Sequence, residues 1–179
     1  MKRIYTILTM ITLFSGSCFA QSQNYKAFKV EFLPGYALPI SSVGGIKGGF
    51  CLSLEPKYNI NDNIAVGIKI EGAAVAIVTN TNSNDGIVSL ISSYSLTGEY
   101  YLGESGVRPF AGIGIGSYKT SIFDTKELKE LALSESTIGF APRLGLQINH
   151  FRIVGEYNLV KDSNYLTFKL GFTIGGGKK

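Results

Sequence analysis

The sequence has no tryptophan, one histidine, two cysteines, two methionines and five prolines in 179 residues. One histidine and two cysteines cannot assemble a closed zinc-type site from those side chains. Few methionines and much glycine speak against a Met- and Leu-rich helical bundle. Charged residues make up only 17% while apolar ones make up 45%, which excludes intrinsic disorder. Long apolar runs are missing after residue 20. The longest, Gly72 to Val78, falls far short of the roughly 18 residues a membrane-crossing helix requires. If the chain spans a membrane, it spans it with strands. What is abundant is glycine, at 22 residues, and aromatics, at 12%, the composition of glycine-punctuated β-structure.

The first twenty residues form a separate segment. Lys2 and Arg3 precede an apolar run from Ile4 to Phe14, then small residues lead to Cys18-Phe19-Ala20. This is the pattern of a secretory signal peptide cleaved after Ala20, leaving 21–179 as one domain. Without Lys2 and Arg3, 15 cations face 13 anions, so nucleic acid is not an expected partner. Cys18 leaves with the signal and Cys51 remains alone, so no intramolecular disulfide forms. The alternative, lipid modification of Cys18, stays open, although Ser15 stands where a lipoprotein signal usually has leucine.

Beyond residue 20 the chain alternates apolar and polar residues in segments of about ten. The expected strands are 27–36, 47–58, 64–71, 90–102, 107–118, 137–148, 151–160 and 165–174. Short turns follow the second, fourth and sixth, at Asn59–Asp62, Gly103–Gly106 and Asn149-His150. Longer connections follow the first, third and fifth, near 39–46, 79–88 and 119–136. Eight strands with alternately short and long connections predict an all-β, eight-stranded antiparallel up-and-down transmembrane barrel, with its short turns and both termini in the periplasm.

Charge separates this reading from a soluble sandwich. The polar faces carry Lys29, Glu31, Glu55, Lys57, Lys69, Glu71, Glu99, Arg108, Arg143, Arg152, Glu156 and Lys169, seven cations and five anions. An eight-stranded barrel is just wide enough for side chains to fill, so these twelve are expected to form a lumen charge network. Gly112, Gly114 and Gly116 lie on the same face. They either leave room for a long partner such as Arg143 or Arg108, or permit tight curvature. Cys51 is expected to pack inward. The central apolar faces carry no charge, as lipid contact demands. Tyr36, Tyr58, Tyr94, Tyr100, Tyr118, Tyr157 and Phe151 are placed as aromatic girdles at the two interfaces.

Gly98-Glu-Tyr-Tyr-Leu-Gly, Arg108-Pro-Phe-Ala-Gly-Ile-Gly-Ile-Gly, Ala141-Pro-Arg-Leu-Gly-Leu-Gln-Ile and Tyr165-Leu-Thr-Phe-Lys-Leu-Gly-Phe resemble the small outer-membrane β-barrel (opacity-protein-like, porin-family) domain of Gram-negative bacteria. The segment Phe19-Ala20-Gln21 and the Gly-Gly-Gly-Lys-Lys end are similar to Bacteroidetes-type proteins. The resemblance implies outer-membrane lipid and the barrel assembly machinery as partners, with a possible extracellular ligand on the loops. Barrels of this class end on an aromatic residue, whereas here Phe172 is followed by seven more residues.

Catalytic, cofactor and metal sites are not expected. His150 falls in a short turn, at the wrong end for a lipid A-modifying enzyme. The readings left are a structural or ligand-presenting barrel, a narrow channel and, third, a lipid A-modifying enzyme. One helix is expected, over Thr125–Leu133, from Asp124 and Glu127 as a capping-box-like start and Lys126 with Glu130 as an i,i+4 pair.

Overall fold

The computed structural model describes residues 24–40, 46–78, 86–103, 106–124, 129–133, 136–161 and 164–177. The strands are β1 (Phe28–Pro39), β2 (Ile46–Lys47), β3 (Gly49–Asn59), β4 (Ile64–Val78), β5 (Gly86–Tyr101), β6 (Val107–Asp124), β7 (Lys129–Leu133), β8 (Thr137–Ile148), β9 (Phe151–Asn158) and β10 (Tyr165–Gly175). Each long strand pairs antiparallel with the next, and β1 closes the cylinder against β10 from Lys29↔Gly175 to Pro39↔Tyr165. Eight strands make the barrel. β2 and β7 are short additions, paired to the loop ends of β4 and β6.

Closure follows from the alternation. Every second side chain points into a cylinder too narrow for water-filled space, and the others point out. Outside lie Phe28, Phe32, Ile68, Ile113, Leu144, Leu170 and Ile174, all exposed. A continuous apolar exterior of this kind belongs in lipid rather than water. Aromatic residues frame it. Phe28, Tyr58, Tyr100 and the edge-to-face pair Phe151–Phe172, 5.8 Å between centroids, lie toward the short turns. Tyr36, paired with Phe50 and Phe168, lies toward the long loops. Eight residues of β1 separate Phe28 from Tyr36, about 27 Å of strand, or roughly 20 Å of height once a barrel tilt of about 40° is applied. Tyr118 is not in the girdle: it is 2% exposed and points into the lumen, as its even parity with Gly112, Gly114 and Gly116 requires.

Local chemistry sets the short turns. The Asn61 carboxamide oxygen accepts from the backbone N–H groups of Asn63 (2.9 Å) and Ile64 (2.7 Å), an Asx turn that reverses the chain between β3 and β4. Asn149 takes a φ of 53° in the turn between β8 and β9, a left-handed conformation asparagine tolerates better than most residues.

At the other end the strands run further than the sequence pattern reaches. β4 extends to Val78, β5 starts at Gly86 and β6 runs to Asp124. The expected helix over Thr125–Leu133 gives way to strand in its described part. Lys129–Leu133 is strand β7, paired with β6 across a register shift at Ile122/Phe123, and residues 125–128 lie outside the described residues. A short helix with one favourable charge pair gains a few tenths of a kcal/mol against a costly nucleation step. The edge of β6 offers a row of backbone partners instead. No helix occurs among the described residues.

Three prolines interrupt the ladders. Opposite Pro34 the β1–β10 register jumps from Phe32↔Phe172 to Gly35↔Lys169. Opposite Pro56 the β3–β4 register jumps from Leu54↔Ile70 to Lys57↔Gly67. Beside Pro142 the β8–β9 ladder stops at Arg143↔Glu156, with only the isolated bridge Phe140↔Leu159 beyond. Proline has no N–H to donate, and a closed barrel has no edge strand on which to hide that deficit.

Candidate functional site: the charged lumen

Every barrel strand supplies charge to the lumen. β1 gives Lys29 and Glu31, β3 Glu55 and Lys57, β4 Lys69 and Glu71, β5 Glu99, β6 Arg108, β8 Arg143, β9 Arg152 and Glu156, and β10 Lys169, each at most 5% exposed. Eleven of the twelve join one ion-pair network. Arg108 stands at its turn-end rim, donating to the carbonyl oxygens of Gly103 (3.3 Å) and Asp62 and lying over the rings of Tyr25 (4.0 Å) and Tyr101 (4.5 Å).

Toward the turns, Lys57 Nζ reaches Glu99 Oε1 at 2.6 Å, Glu31 Oε2 at 2.9 Å and Glu55 Oε1 at 3.3 Å. The carboxylates of Glu31, Glu55 and Glu99 converge closely enough to hold a metal ion, and the Lys57 ammonium occupies the position such an ion would take. Arg143 grips Glu55 bidentately, Nη1–Oε1 2.7 Å and Nη2–Oε2 2.9 Å, the geometry that makes arginine–carboxylate pairs strong and directional. Arg152 bridges Glu31 (3.0 Å) and Glu99 (2.5 Å). Lys29 donates to Tyr101 Oη at 2.7 Å and lies 3.4 Å from Glu31.

Toward the loops, Lys69 pairs with Glu156 and Lys169 with Glu71. Lys69 also lies 3.6 Å from Glu71, and Lys169 3.4 Å from Glu156. Arg143 Nε, 3.3 Å from Glu99 and 3.4 Å from Glu156, connects the two halves. Above them Ala37, Cys51, Ala73, Val75, Ile91, Tyr118, Val160 and Tyr165 pack as a buried apolar layer toward the loop end of the lumen. Cys51 belongs to that layer, inward and fully buried.

Glycines make space for long neighbours. A Cβ on Gly112 would collide with the Gly98 carbonyl oxygen and stand 2.8 Å from Glu99 Cγ; on Gly145 it would collide with the Ile153 carbonyl oxygen and meet the Phe110 ring at 2.6 Å. At Gly67 it would meet Lys57 Cγ at 2.5 Å. Each bare position accommodates the stem of a long neighbour on the adjoining strand.

The network also contains neutral residues that a search for charge overlooks. Tyr101 accepts from Lys29 and donates to Glu99 Oε2 (2.7 Å), Thr97 donates to Glu55 (2.5 Å), Tyr165 to Glu71 (3.1 Å) and Tyr118 to Asn158 (3.0 Å). Parity alone finds them, since Thr97 and Tyr101 share the phase of Glu99.

No protein-family model and no curated protein sequence matches the chain. Solved structures do. Neisserial surface protein A aligns with a TM-score of 0.61 at 16% identity, over 83% of this chain and 96% of that one. Ail of Yersinia pestis, crystallised with the heparin analogue sucrose octasulfate, aligns at 0.51 and 17% over 84% and 99%. The N-terminal β-barrel domain of Pseudomonas aeruginosa OprF aligns at 0.51 and 11% over 85% and 100%. The chain has the fold of a small outer-membrane β-barrel. At such identities the likeness carries the architecture and leaves ligand and activity to the residues themselves.

Proposed function

We propose that this protein is an exported, non-enzymatic outer-membrane barrel whose closed lumen serves stability, and whose role in the envelope is structural or rests on ligands held by its loop end. The observation that carries the reading is the lumen: eleven ion-paired side chains lie beneath an apolar layer, the filling expected of an eight-stranded barrel with no open water column. The short turns and both termini then face the periplasm, and residues 1–20 are the removed signal. N-terminal sequencing of the mature protein should begin at Gln21; a blocked Cys18 carrying lipid would replace that part of the proposal.

The test is electrical. Purified barrel in planar bilayers is expected to give no step conductance, and the outer-membrane fraction should yield a compact gel species that slows on boiling. Discrete, reproducible steps would establish the channel reading instead. A sulfated ligand like Ail's finds no counterpart in the loop-end sequence, where Lys47, Lys119, Lys126, Lys129 and Lys161 face Asp85, Asp124, Glu127, Glu130, Glu135 and Asp162. Opposite signs interspersed in this way do not select a polyanion.

A further inference from the structure

The lumen charges do not balance, and the imbalance has an address. In the loop-side half, Lys69 and Lys169 answer Glu71 and Glu156. In the turn-side half, Lys29, Lys57, Arg143, Arg152 and Arg108 lie among Glu31, Glu55 and Glu99, with Arg143 also reaching the loop-side Glu156. Two surplus positive charges are therefore buried at the turn end among the described residues. The outermost cation, Arg108, is 5% exposed and is held by carbonyl oxygens and aromatic faces, all formally neutral. The nearby Asp62 carboxylate is engaged by the backbone N–H (3.1 Å) and side-chain amide (3.0 Å) of Asn24. A buried guanidinium held by neutral groups is costly, and here a cavity stands beside it. A pocket of about 170 Å³ opens at this mouth, lined by Arg108, Tyr25, Gln147, Asn149, His150 and the backbone of Gly106, Gly176 and Gly177.

We propose that this mouth binds a small oxyanion, a carboxylate or a phosphate group, with Arg108 as its charge partner and His150 and Asn149 as polar walls. The volume equals that of about six waters, enough for one such group and the first carbons of whatever carries it. A guanidinium is suited to both, because its planar fork matches two oxygens at once. That the mouth opens to the periplasm depends on the function proposed above; the binding itself does not, and is tested on purified protein.

His150 is the chain's only histidine, so its ring gives one assignable NMR signal inside the pocket. Barrel folded in a non-ionic sugar detergent is titrated with sodium acetate and, separately, with sodium phosphate, at fixed pH and with sodium chloride holding ionic strength constant. A saturable shift of the His150 signal is expected with at least one of them. Saturation with acetate alone assigns a carboxylate, and with phosphate alone a phosphate group. Arg108→Gln should weaken binding at least about tenfold, the usual scale for a lost charged hydrogen bond. Gly106→Leu provides a variant that leaves every charge in place: among the described residues a Cβ there meets only Asn149 Oδ1, at 3.5 Å, and the longer side chain fills the pocket. It should abolish the saturable shift. Linear shifts with both anions, or saturation unchanged in whichever of the two variants folds, would overturn the proposal. Conductance steps in planar bilayers would remove the function proposed above and leave this site standing.

Discussion

At the scale of single residues, the lumen is a place where one missing partner costs more than the pair contributes. Arg143 touches Glu55 with two nitrogens and Glu99 and Glu156 with a third. Arg143→Met takes from Glu55 its bidentate partner and from Glu99 and Glu156 one of several cation contacts in a closed interior, and is expected to destabilise the barrel by about 3–5 kcal/mol, read as urea unfolding from lipid vesicles. Adding Glu55→Gln to it should recover part of that loss, because the worst-placed charge goes too. A single variant as stable as the parent would mean that water reaches the site. Most of this network was legible in the sequence, since period-two parity separates the twelve ionisable residues from the lipid face without any knowledge of pairing. Which cation meets which anion was not. Arg143 and Glu55 are 88 positions apart, and their meeting depends on the stagger of strands around the closed cylinder. Tyr118 shows the opposite lapse: its parity pointed inward, and tyrosine's preference for interfaces drew the expectation outward.

At the scale of strands, the prolines are the anomaly. Continuing the flanking registers places Pro34, Pro56 and Pro142 opposite Leu170, Ile68 and Tyr157, where the ladder skips. In lipid no water replaces the missing donor. Pro56→Val restores an N–H facing Ile68. The recovered hydrogen bond, about 1–3 kcal/mol for an otherwise unsatisfied acceptor, exceeds the roughly 0.4–1 kcal/mol of chain entropy that proline withholds from the unfolded state. A net gain of about 1 kcal/mol is expected, together with a new protected amide at position 56 and slowed amide hydrogen exchange at residues 68 and 69. Unchanged exchange at residues 68 and 69 would show that the gap comes from strand curvature and not from proline. Strand number and inner face were readable from alternation; strand ends were not. Loop-end residues such as Ser121 and Phe123 extend β6 because β5 and β7 lie beside it, a circumstance no local pattern contains. The same absence of context made Thr125–Leu133 look helical.

At the scale of the whole molecule, the apolar exterior and the charged interior are two consequences of one alternation, and reversing either should be felt. Leu144 stands outward, 68% exposed, between the aromatic level of Phe140 and that of Phe151. Leu144→Lys is expected to cost about 2–4 kcal/mol, seen as a lowered urea midpoint and a smaller fraction of heat-shifted species on gels. A neutral effect would place Leu144 outside the bilayer band. The unequal strand lengths also give the cylinder a shape. β6 has 18 residues and β9 only 8, and the added height gathers on one side, where β2, β4, β5, β6 and β7 stand together above the rim. Past Tyr118, the last β6 residue paired to β8, six more residues of β6 continue upward, about 20 Å of extended chain. The upper edge is thus cut obliquely, like a quill. In a membrane coated with carbohydrate, the low side around β9 and β10 would lie within the coat while the high side emerges from it. An antibody or protease approaching an intact cell would then meet one flank of this barrel and not its circumference.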